Sequence, residues 1–189
     1  TYMGAVEVPN ELIANTPVVL GEKDVLKTLQ MMPGVQGGNE GLSGIYVRGG
    51  GVDENLMLLD GTAIYNVSHL FGLLSVFTPE AVKKVTVYKG SFPARYGGRV
   101  SSVVDVRTND GNSKKLSGSV TAGFLAEKFH LEGPLKNENT TFSLSARGMH
   151  TFLFDRVIKW AGSPLNYAFY DINAKVSHKF SDRSRGWIG

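Results

Sequence analysis

Four segments in the second half of the chain alternate between apolar and polar residues. Residues 170–180, YDINAKVSHKF, place apolar side chains at even-numbered positions and polar ones at odd-numbered positions, with His178 as the one ambiguous member. Shorter alternations of the same kind occupy residues 119–124, 128–132 and 142–147. Because successive side chains of a strand point to opposite faces, these segments predict four two-faced β-strands.

Two architectures use such strands. A soluble sandwich buries the apolar face, whereas a membrane barrel turns it towards lipid. Strand length, aromatic residues near strand ends and an alternation of short and long connections favour the barrel. The connections are a short one near Glu127, the polar turn KNEN and a longer loop at about 151–166, and a fifth strand is expected to start in RSRGWIG. Open strand edges are not tolerated in lipid, so we expect an incomplete transmembrane β-barrel within a longer chain.

The first half predicts a mixed α and β fold. GEKDVLKTLQMMPGV has apolar residues at helical spacing, and Pro33-Gly34 supplies the stop. IYVRGG and LMLLDG are suited to short buried strands, with a loop between them that is flexible or tightly bent. Thr78 and Pro79 predict the start of a short helix that gives way to a strand at 85–88, and a further strand ends in a polar exit at 109–112. We expect an α+β domain over residues 1–110 and barrel strands over 111–189.

Composition and motifs exclude several functions. The chain has no Cys, which rules out disulfides and thiolate chemistry, and it has no apolar run of helical membrane-spanning length. No basic stripe indicates nucleic-acid binding. The Gly-rich loops match no phosphate-binding pattern, the four His residues have no metal-ligand spacing, and Asp53-Glu54 are expected to be solvated loop charges. We therefore expect no enzyme activity, no metal and no cofactor.

Five segments of the first half carry more information together than singly. VLKTLQMMPGV, IYVRGG, LMLLDGTAIYN, AVKKVTVYKG and PARYGGRVSSVVDVRT follow one another in this order. The set resembles the plug domain of TonB-dependent outer-membrane receptors, in particular the Gly-rich, SusC-like and carboxypeptidase-regulatory-like variety. The resemblance covers about residues 5–110, and the alternating strands then look like the first strands of the family's 22-stranded barrel.

The resemblance implies a receptor in the outer membrane of a Gram-negative bacterium, with the plug inside the barrel lumen. Such a receptor binds a scarce extracellular solute, such as a glycan, a peptide or a metal chelate, and admits it when TonB displaces the plug. The implied partners are TonB, acting through a segment that is not recognisable in this sequence, the solute, a surface lipoprotein and outer-membrane lipid.

The resemblance also implies two sets of site residues. Two loops at the plug apex would contact the ligand, one through Tyr65, Asn66, His69 and Phe71 and the other through Gln36, Asn39 and Glu40. Arginines on the plug surface would pair with carboxylates of the barrel wall, namely Arg48, Arg95, Arg99 and Arg107. The alternative for the arginines is a local role in capping strands and turns.

Two other functions remain open from the sequence. A signalling or secretion adaptor would use the same plug-like fold to bind a partner without passing a solute, since a fold does not fix a function. A soluble binding module with a β-sandwich tail would keep residues 111–189 soluble without detergent. The barrel instead predicts that this segment aggregates alone, because its apolar faces would be uncovered.

Overall fold

The structure, a computed structural model, describes residues 4–8, 12–13, 15–16, 18, 23–38, 44–69, 74–90, 92–98, 101–123, 126–150 and 168–189. The chain divides into two compact units. The first comprises Thr1–Val18 and Lys23–Thr108, and the second Val19–Glu22 and Asn109–Gly189. Each unit is described separately below.

A five-stranded sheet forms the centre of the first unit. Its strands, in spatial order, are β1 (Ala5–Val8), β8 (Val82–Lys89), β9 (Ser102–Thr108), β4 (Asn55–Leu59) and β5 (Thr62–Ile64). Neighbours are antiparallel except for β4 and β9, which run parallel. The central strands β8 and β9 are almost wholly buried, which agrees with their Val-rich sequences.

Smaller elements complete the first unit. They are the helix α1 (Val25–Gln30), the hairpin of β2 (Val35–Gly37) and β3 (Ile45–Val47), and the pair of β6 (Ser68–His69) and β7 (Leu74–Ser75). The apolar face of α1 packs into the core with Val85, Val87 and Val104 of the sheet. The mixed α and β fold expected for this half is therefore confirmed. None of the described helices is both long and apolar enough to cross a membrane.

The buried carboxylate of Asp24 caps α1 and joins it to a distant strand. Its Oδ1 accepts hydrogen bonds from the backbone N–H groups of Leu26 at 2.8 Å and Lys27 at 3.1 Å. Its Oδ2 accepts from the N–H of Ser75 in β7 at 2.5 Å. An N-cap acceptor satisfies helix donors that have no intrahelical partner, so one side chain here fixes both the start of α1 and its position against β7.

One local prediction comes out differently in detail, and one alternative that the sequence left open is decided. Thr78 and Pro79 begin a single 3₁₀ turn over Pro79–Ala81 rather than a longer helix, and Thr78 makes no side-chain cap bond. The turn is short because β8 starts at Val82, whose side chain is buried in the core. The glycine loop after β3 is tightly bent: a Cβ on Gly50 would lie 2.3 Å from the hydroxyl oxygen of Ser101.

The second unit is a five-stranded antiparallel sheet. Its strands follow chain order: β10 (Ser117–Ala122), β11 (Ala126–Pro134), β12 (Thr140–His150), β13 (Ala168–Ser181) and β14 (Ser184–Ile188). The four alternating strands and the fifth one are confirmed. The longer loop expected at 151–166 lies outside the described residues.

The short connection expected near Glu127 is present and lies slightly earlier in the chain, between β10 and β11. Glu127 lies inside β11, opposite Gly148 of β12, and the turn closes earlier, where the Gly123 N–H donates to the Ala126 carbonyl at 2.8 Å. The side chain of Glu127 is exposed and its Oε2 lies 3.7 Å from Nδ1 of His150 on the same face of the sheet. A charged residue thus continues the strand because its side chain stays in solvent.

Candidate functional site

The predicted ligand residues Tyr65, Asn66 and His69 follow directly after the hairpin of β4 and β5, which fixes where this segment starts. Its two-residue turn, Asp60-Gly61, has φ values of 49° and 87°, the left-handed pair that tight hairpins require. The Asp60 carboxylate accepts from the backbone N–H of Thr108 at 3.1 Å and from its hydroxyl. Asp60 is therefore a structural residue, which ties the hairpin to the end of β9.

Tyr65 stands just after β5 and lines an open groove of about 490 Å³ in the first unit. Its side chain is 85% exposed, so it is available for contact. The groove brings together Tyr65, Arg95 and Arg107, three of the residues singled out from the sequence. The remaining lining residues are Leu56, Leu58, Gly61, Ala63, Tyr96, Gly97 and Gly98.

Tyr96 organises the polar side of this groove. Nη2 of Arg95 donates to the Tyr96 hydroxyl oxygen at 2.9 Å, and the guanidinium carbon lies 4.7 Å from the centre of the tyrosine ring. The Tyr96 hydroxyl donates to Oδ2 of Asp105 at 3.3 Å, and Nη2 of Arg107 lies 3.4 Å from the same oxygen. The ring also packs against Tyr88, with centroids 5.5 Å apart. Arg107 thus lies beside the buried carboxylate of Asp105, and Arg95 is connected to that carboxylate through the Tyr96 hydroxyl.

The surroundings of Tyr96 in the groove change the pKa of its hydroxyl group. Burial raises the pKa of Tyr96 above its ordinary value, and the negative charge of Asp105 raises it further. The phenol is consequently neutral at physiological pH and keeps its proton for a hydrogen bond. The hydrogen bond with Tyr96 raises the pKa of Arg95, which stays fully charged. The groove therefore offers cationic groups and aromatic surface to an anionic or hydrogen-bonding ligand.

Sequence reasoning missed Tyr96 and Asp105. Asp105 is 5% exposed, and none of the described residues donates to its Oδ1. A usable signal was present, because a charged residue inside the apolar strand SVVDVRT is rarely buried unless it is paired. Its partners could not be found from the sequence because they depend on the fold.

A second cavity, of about 360 Å³, is also lined by Tyr65. It shares Tyr65, Leu56 and Ala63 with the groove, and Val52, Asp53 and Val67 are among its other lining residues. Tyr65 is thus common to both cavities.

The remaining predicted ligand residues are placed elsewhere. Gln36 is exposed on the β2–β3 hairpin, Asn66 is exposed after β5, and His69 is half-buried in β6. None of these three lines the two cavities. Three others lie outside the described residues: Asn39, Glu40 and Phe71. Across the part of the chain that the structure describes, no cluster of three or more His, Asp or Glu residues could hold a metal ion.

Arg48 has a strained backbone. It occupies the turn 47–50 with φ 51°, where the Gly50 N–H donates to the Val47 carbonyl at 3.0 Å. The left-handed region costs a non-glycine residue roughly 1–2 kcal/mol. Its charge is also unfavourable locally, since the pKa of Lys89 is lowered by burial and further by Arg48. Within the described ranges Arg48 forms no ion pair with a carboxylate, and Arg99 lies outside them.

The sheet of the second unit has its faces inverted relative to a soluble protein. Along β13 the apolar Ile172 and Phe180 are 66% and 70% exposed, whereas Lys175 and Ser177 are 7% and 2% exposed. Strand β12 buries its polar residues in the same way, and Nη2 of the buried Arg147 lies 2.5 Å from Oδ2 of Asp171. A sandwich would bury the apolar face instead. This sheet therefore presents an apolar surface outwards and a charged surface inwards, as a membrane barrel wall does.

The height of the apolar surface fits a membrane. Tyr170 and Phe180 border it, ten residues apart on β13 and both largely exposed. At a rise of about 3.4 Å per residue and a tilt of about 40°, they are separated by roughly 26 Å along the barrel axis. Outer-membrane barrels have an apolar band about 25 Å tall, bounded by aromatic residues.

Comparisons with known proteins decide the family. Residues 6–104 match the family model of the TonB-dependent receptor plug domain. The chain belongs to this family. The expected plug and barrel-strand architecture is thereby confirmed, and so is the expected localisation at the level of the family, whose members are outer-membrane proteins with the plug inside the barrel. The more specific SusC-like likeness stays a prediction.

Solved structures agree with the plug family. The siderophore receptor PirA of Pseudomonas aeruginosa gives a TM-score of 0.66 at 23% identity, over 96% of this chain and 32% of that one. PirA of Acinetobacter baumannii gives 0.68 at 21%, over 98% and 30%. The copper transporter OprC gives 0.61 at 14%, over 95% and 28%. At these identities the likeness shows the fold, and the chain spans about a third of the length of these receptors.

These relatives are named as receptors and transporters rather than enzymes, which supports a non-enzyme at the level of the family. A search of curated proteins found no match.

Proposed function

We propose that this plug and its barrel strands are part of an active-transport receptor, which binds a scarce extracellular solute and admits it when TonB displaces the plug. The observation that carries the proposal is the combination of a plug domain with a sheet whose apolar face is exposed and whose charged face is buried. A soluble binding module with a β-sandwich tail would bury the apolar face instead. The division after Thr108 supports a plug over residues 1–110 and a barrel segment over 111–189.

The groove around Tyr96 is our candidate for solute contact. Tyr65 and Arg95 are exposed at its edge, while Asp105 and Tyr88 hold Tyr96 in place from below. A rigid aromatic ring with a guanidinium beside it suits a planar or anionic group. Siderophores and copper are the solutes named for the similar receptors, and they serve here as probes.

Plug arginines are our candidates for contact with the barrel wall. Arg48 is exposed, has a strained backbone and lies near the like charge of Lys89, and such unfavourable local terms persist where a function outside the local structure compensates them. A carboxylate of the wall would provide that compensation. Arg95 and Arg107 already have local partners, so a wall contact would be additional to their role in the groove.

Uptake by the complete receptor tests the proposal. Cells expressing it should accumulate a probe, ferric enterobactin or copper, when TonB is present and lose that uptake when TonB is deleted. Uptake that is the same in both strains, for a probe that the purified receptor binds, would contradict transport. A receptor that binds and never accumulates any probe would favour the signalling alternative.

Binding by the purified receptor tests the groove. Arg95→Ala and Tyr65→Ala should each weaken binding of the probe by about tenfold or more, since each removes a contact of roughly 1–2 kcal/mol. Arg183→Ala is the matched control, because Arg183 is exposed in the turn between β13 and β14. Equal affinities for all three variants and the wild type would remove the groove from the proposal.

A further inference from the structure

The connection from β9 to β10 is held at its second residue. Asp110 accepts from Nζ of Lys175 at 3.1 Å and from Nη1 of Arg185 at 3.0 Å, each on a different carboxylate oxygen. The hydroxyl of Ser177 lies 3.5 Å from the first of these oxygens. The backbone carbonyl of Asp110 accepts from the hydroxyl of Thr141. One residue is thus bound to three strands of the second unit, β12, β13 and β14.

The neighbouring backbone is shaped for this contact. Gly111 has φ 90°, and a Cβ there would lie 2.3 Å from the carbonyl oxygen of Phe142 in β12. No side chain fits between the connection and the strand. Lys175 is buried and its ammonium lies 5.3 Å from the centre of the Trp187 ring. A charge-assisted contact that is largely shielded from water is stronger than an exposed surface pair.

The chain is also held just before this point, by the first unit. The backbone N–H and the hydroxyl of Thr108 donate to the carboxylate of Asp60. Asn109 is the one residue between these two attachments. A mechanical force applied to the first unit is transmitted along the chain through β9. It therefore acts on Asp110 before it acts on any residue of β10, which begins at Ser117.

We infer that Asp110 is a positioning residue for plug displacement: it is the fixed end of the chain when the plug is pulled. The inference rests on the proposed function, because it assigns Asp110 a role in TonB-driven movement. Hydrogen bonds between β10 and β11 would open one after another if the pull reached Ser117. The contacts of Asp110, which we call the anchor, share the mechanical load between several polar interactions. The force is therefore not transmitted to the β10–β11 pair.

Single-molecule pulling on the complete receptor in a lipid bilayer tests the anchor. The plug is tethered by its N-terminal end, and the length of chain released is measured before the barrel itself yields. In the wild type, the released chain should end at Asp110. In Asp110→Asn, which removes the charge and keeps the size, release should continue to Ser117. Seven further residues add at most about 25 Å of extended chain.

Two variants sharpen the experiment. Glu138→Gln is the matched control, because Glu138 is an exposed carboxylate that lines the same cavity of about 230 Å³ beside Asp110, and this variant should release the same length as the wild type. Gly111→Ala leaves every charge in place and forces the connection away from Phe142, and it should behave like Asp110→Asn. If Asp110→Asn does not fold, Arg185→Gln removes the half-exposed partner and should lower the force at which residue 110 detaches.

A wild-type release that already extends to Ser117, or an Asp110→Asn release equal to that of the wild type, would overturn the inference. An Arg185→Gln detachment force equal to the wild-type force would do the same. Uptake with and without TonB tests the proposed function separately. A receptor that shows the anchor and no TonB-dependent uptake would fail the proposed function, whereas normal uptake without an anchor would fail this inference alone.

Discussion

Replacing Asp24 with alanine should lower the free energy of unfolding of the plug domain more than any single substitution of an exposed residue. The carboxylate of Asp24 is fully buried and accepts three backbone N–H groups, two from the first turn of α1 and one from Ser75 in β7. Loss of an N-cap costs about 1 kcal/mol. Leaving the buried Ser75 N–H without a partner costs roughly 1–3 kcal/mol more.

The sum is about 3 kcal/mol, a large fraction of the 5–15 kcal/mol that usually stabilises a domain. Asp24→Asn should lie between the wild type and Asp24→Ala. An asparagine oxygen can still cap α1, but its NH₂ group would then face the Ser75 N–H. Both of these groups are donors, so the hydrogen bond to Ser75 is lost.

Hydrogen exchange measured on the whole chain in detergent checks this prediction. Backbone amides of residues 23–38 and 74–90 should exchange about 100-fold faster in Asp24→Ala, since about 1.4 kcal/mol corresponds to a factor of ten. Asp53→Ala is the control, because Asp53 is an exposed carboxylate of the same unit. If Asp24→Ala and Asp53→Ala exchange at the same rate, the carboxylate does not join α1 to β7 in solution.

Three further outcomes are expected. Tyr96 should ionise above the ordinary tyrosine pKa of about 10, because burial and Asp105 both raise its pKa. The ionisation of Tyr96 is measured as the difference in absorbance at 295 nm between the wild type and Tyr96→Phe during a pH titration. A midpoint of this difference at or below pH 10 would contradict the prediction. Because the pKa of Tyr96 is higher in the folded state than in the unfolded state, the stability that this group contributes is present below pH 10. It is lost as the pH rises above the unfolded-state pKa and through the folded-state pKa. Arg48→Gly should stabilise the plug domain against urea by about 1 kcal/mol, because glycine adopts φ 51° without strain; a loss of stability would mean that Arg48 makes a contact that outweighs the strain. The fragment 109–189 should aggregate without detergent, since Ile172, Phe180 and Ile188 are exposed; a soluble monomer in sedimentation would refute the lipid-facing assignment.

Much of the fold was predictable because its signals are local. Alternation at period two depends on neighbouring residues alone, and it correctly predicts the strands β10 to β13, of which β12 alternates most regularly between buried and half-buried positions. The Asp60-Gly61 turn and the start of α1 follow in the same way from turn and capping chemistry. The short connection expected near Glu127 lies a few residues earlier, between Ala122 and Ala126, because Glu127 continues β11 as an exposed residue.

The candidate site was predictable only in part. Tyr65, Arg95 and Arg107 were singled out because of the motifs that contain them, but the sequence assigned them to two different roles. The structure places all three in one groove, because the parallel pairing of β4 with β9 brings segments near residues 56–65 and 95–107 together. Periodicity cannot specify which strands pair, so the groove and the partners of its buried Asp105 could not be predicted.

By itself, the amino-acid sequence determined the helix α1, most of the strands, the Asp60-Gly61 turn and the resemblance to the family to which the chain belongs. These properties depend on residues close together in the chain, where backbone geometry leaves few alternatives. The tertiary structure alone decided the contacts that hold the molecule together at a distance. Ser75 reaches Asp24 across 51 positions of the chain and Arg185 reaches Asp110 across 75. Such pairs form because packing and strand register bring their atoms to hydrogen-bond distance, and no local pattern encodes that register.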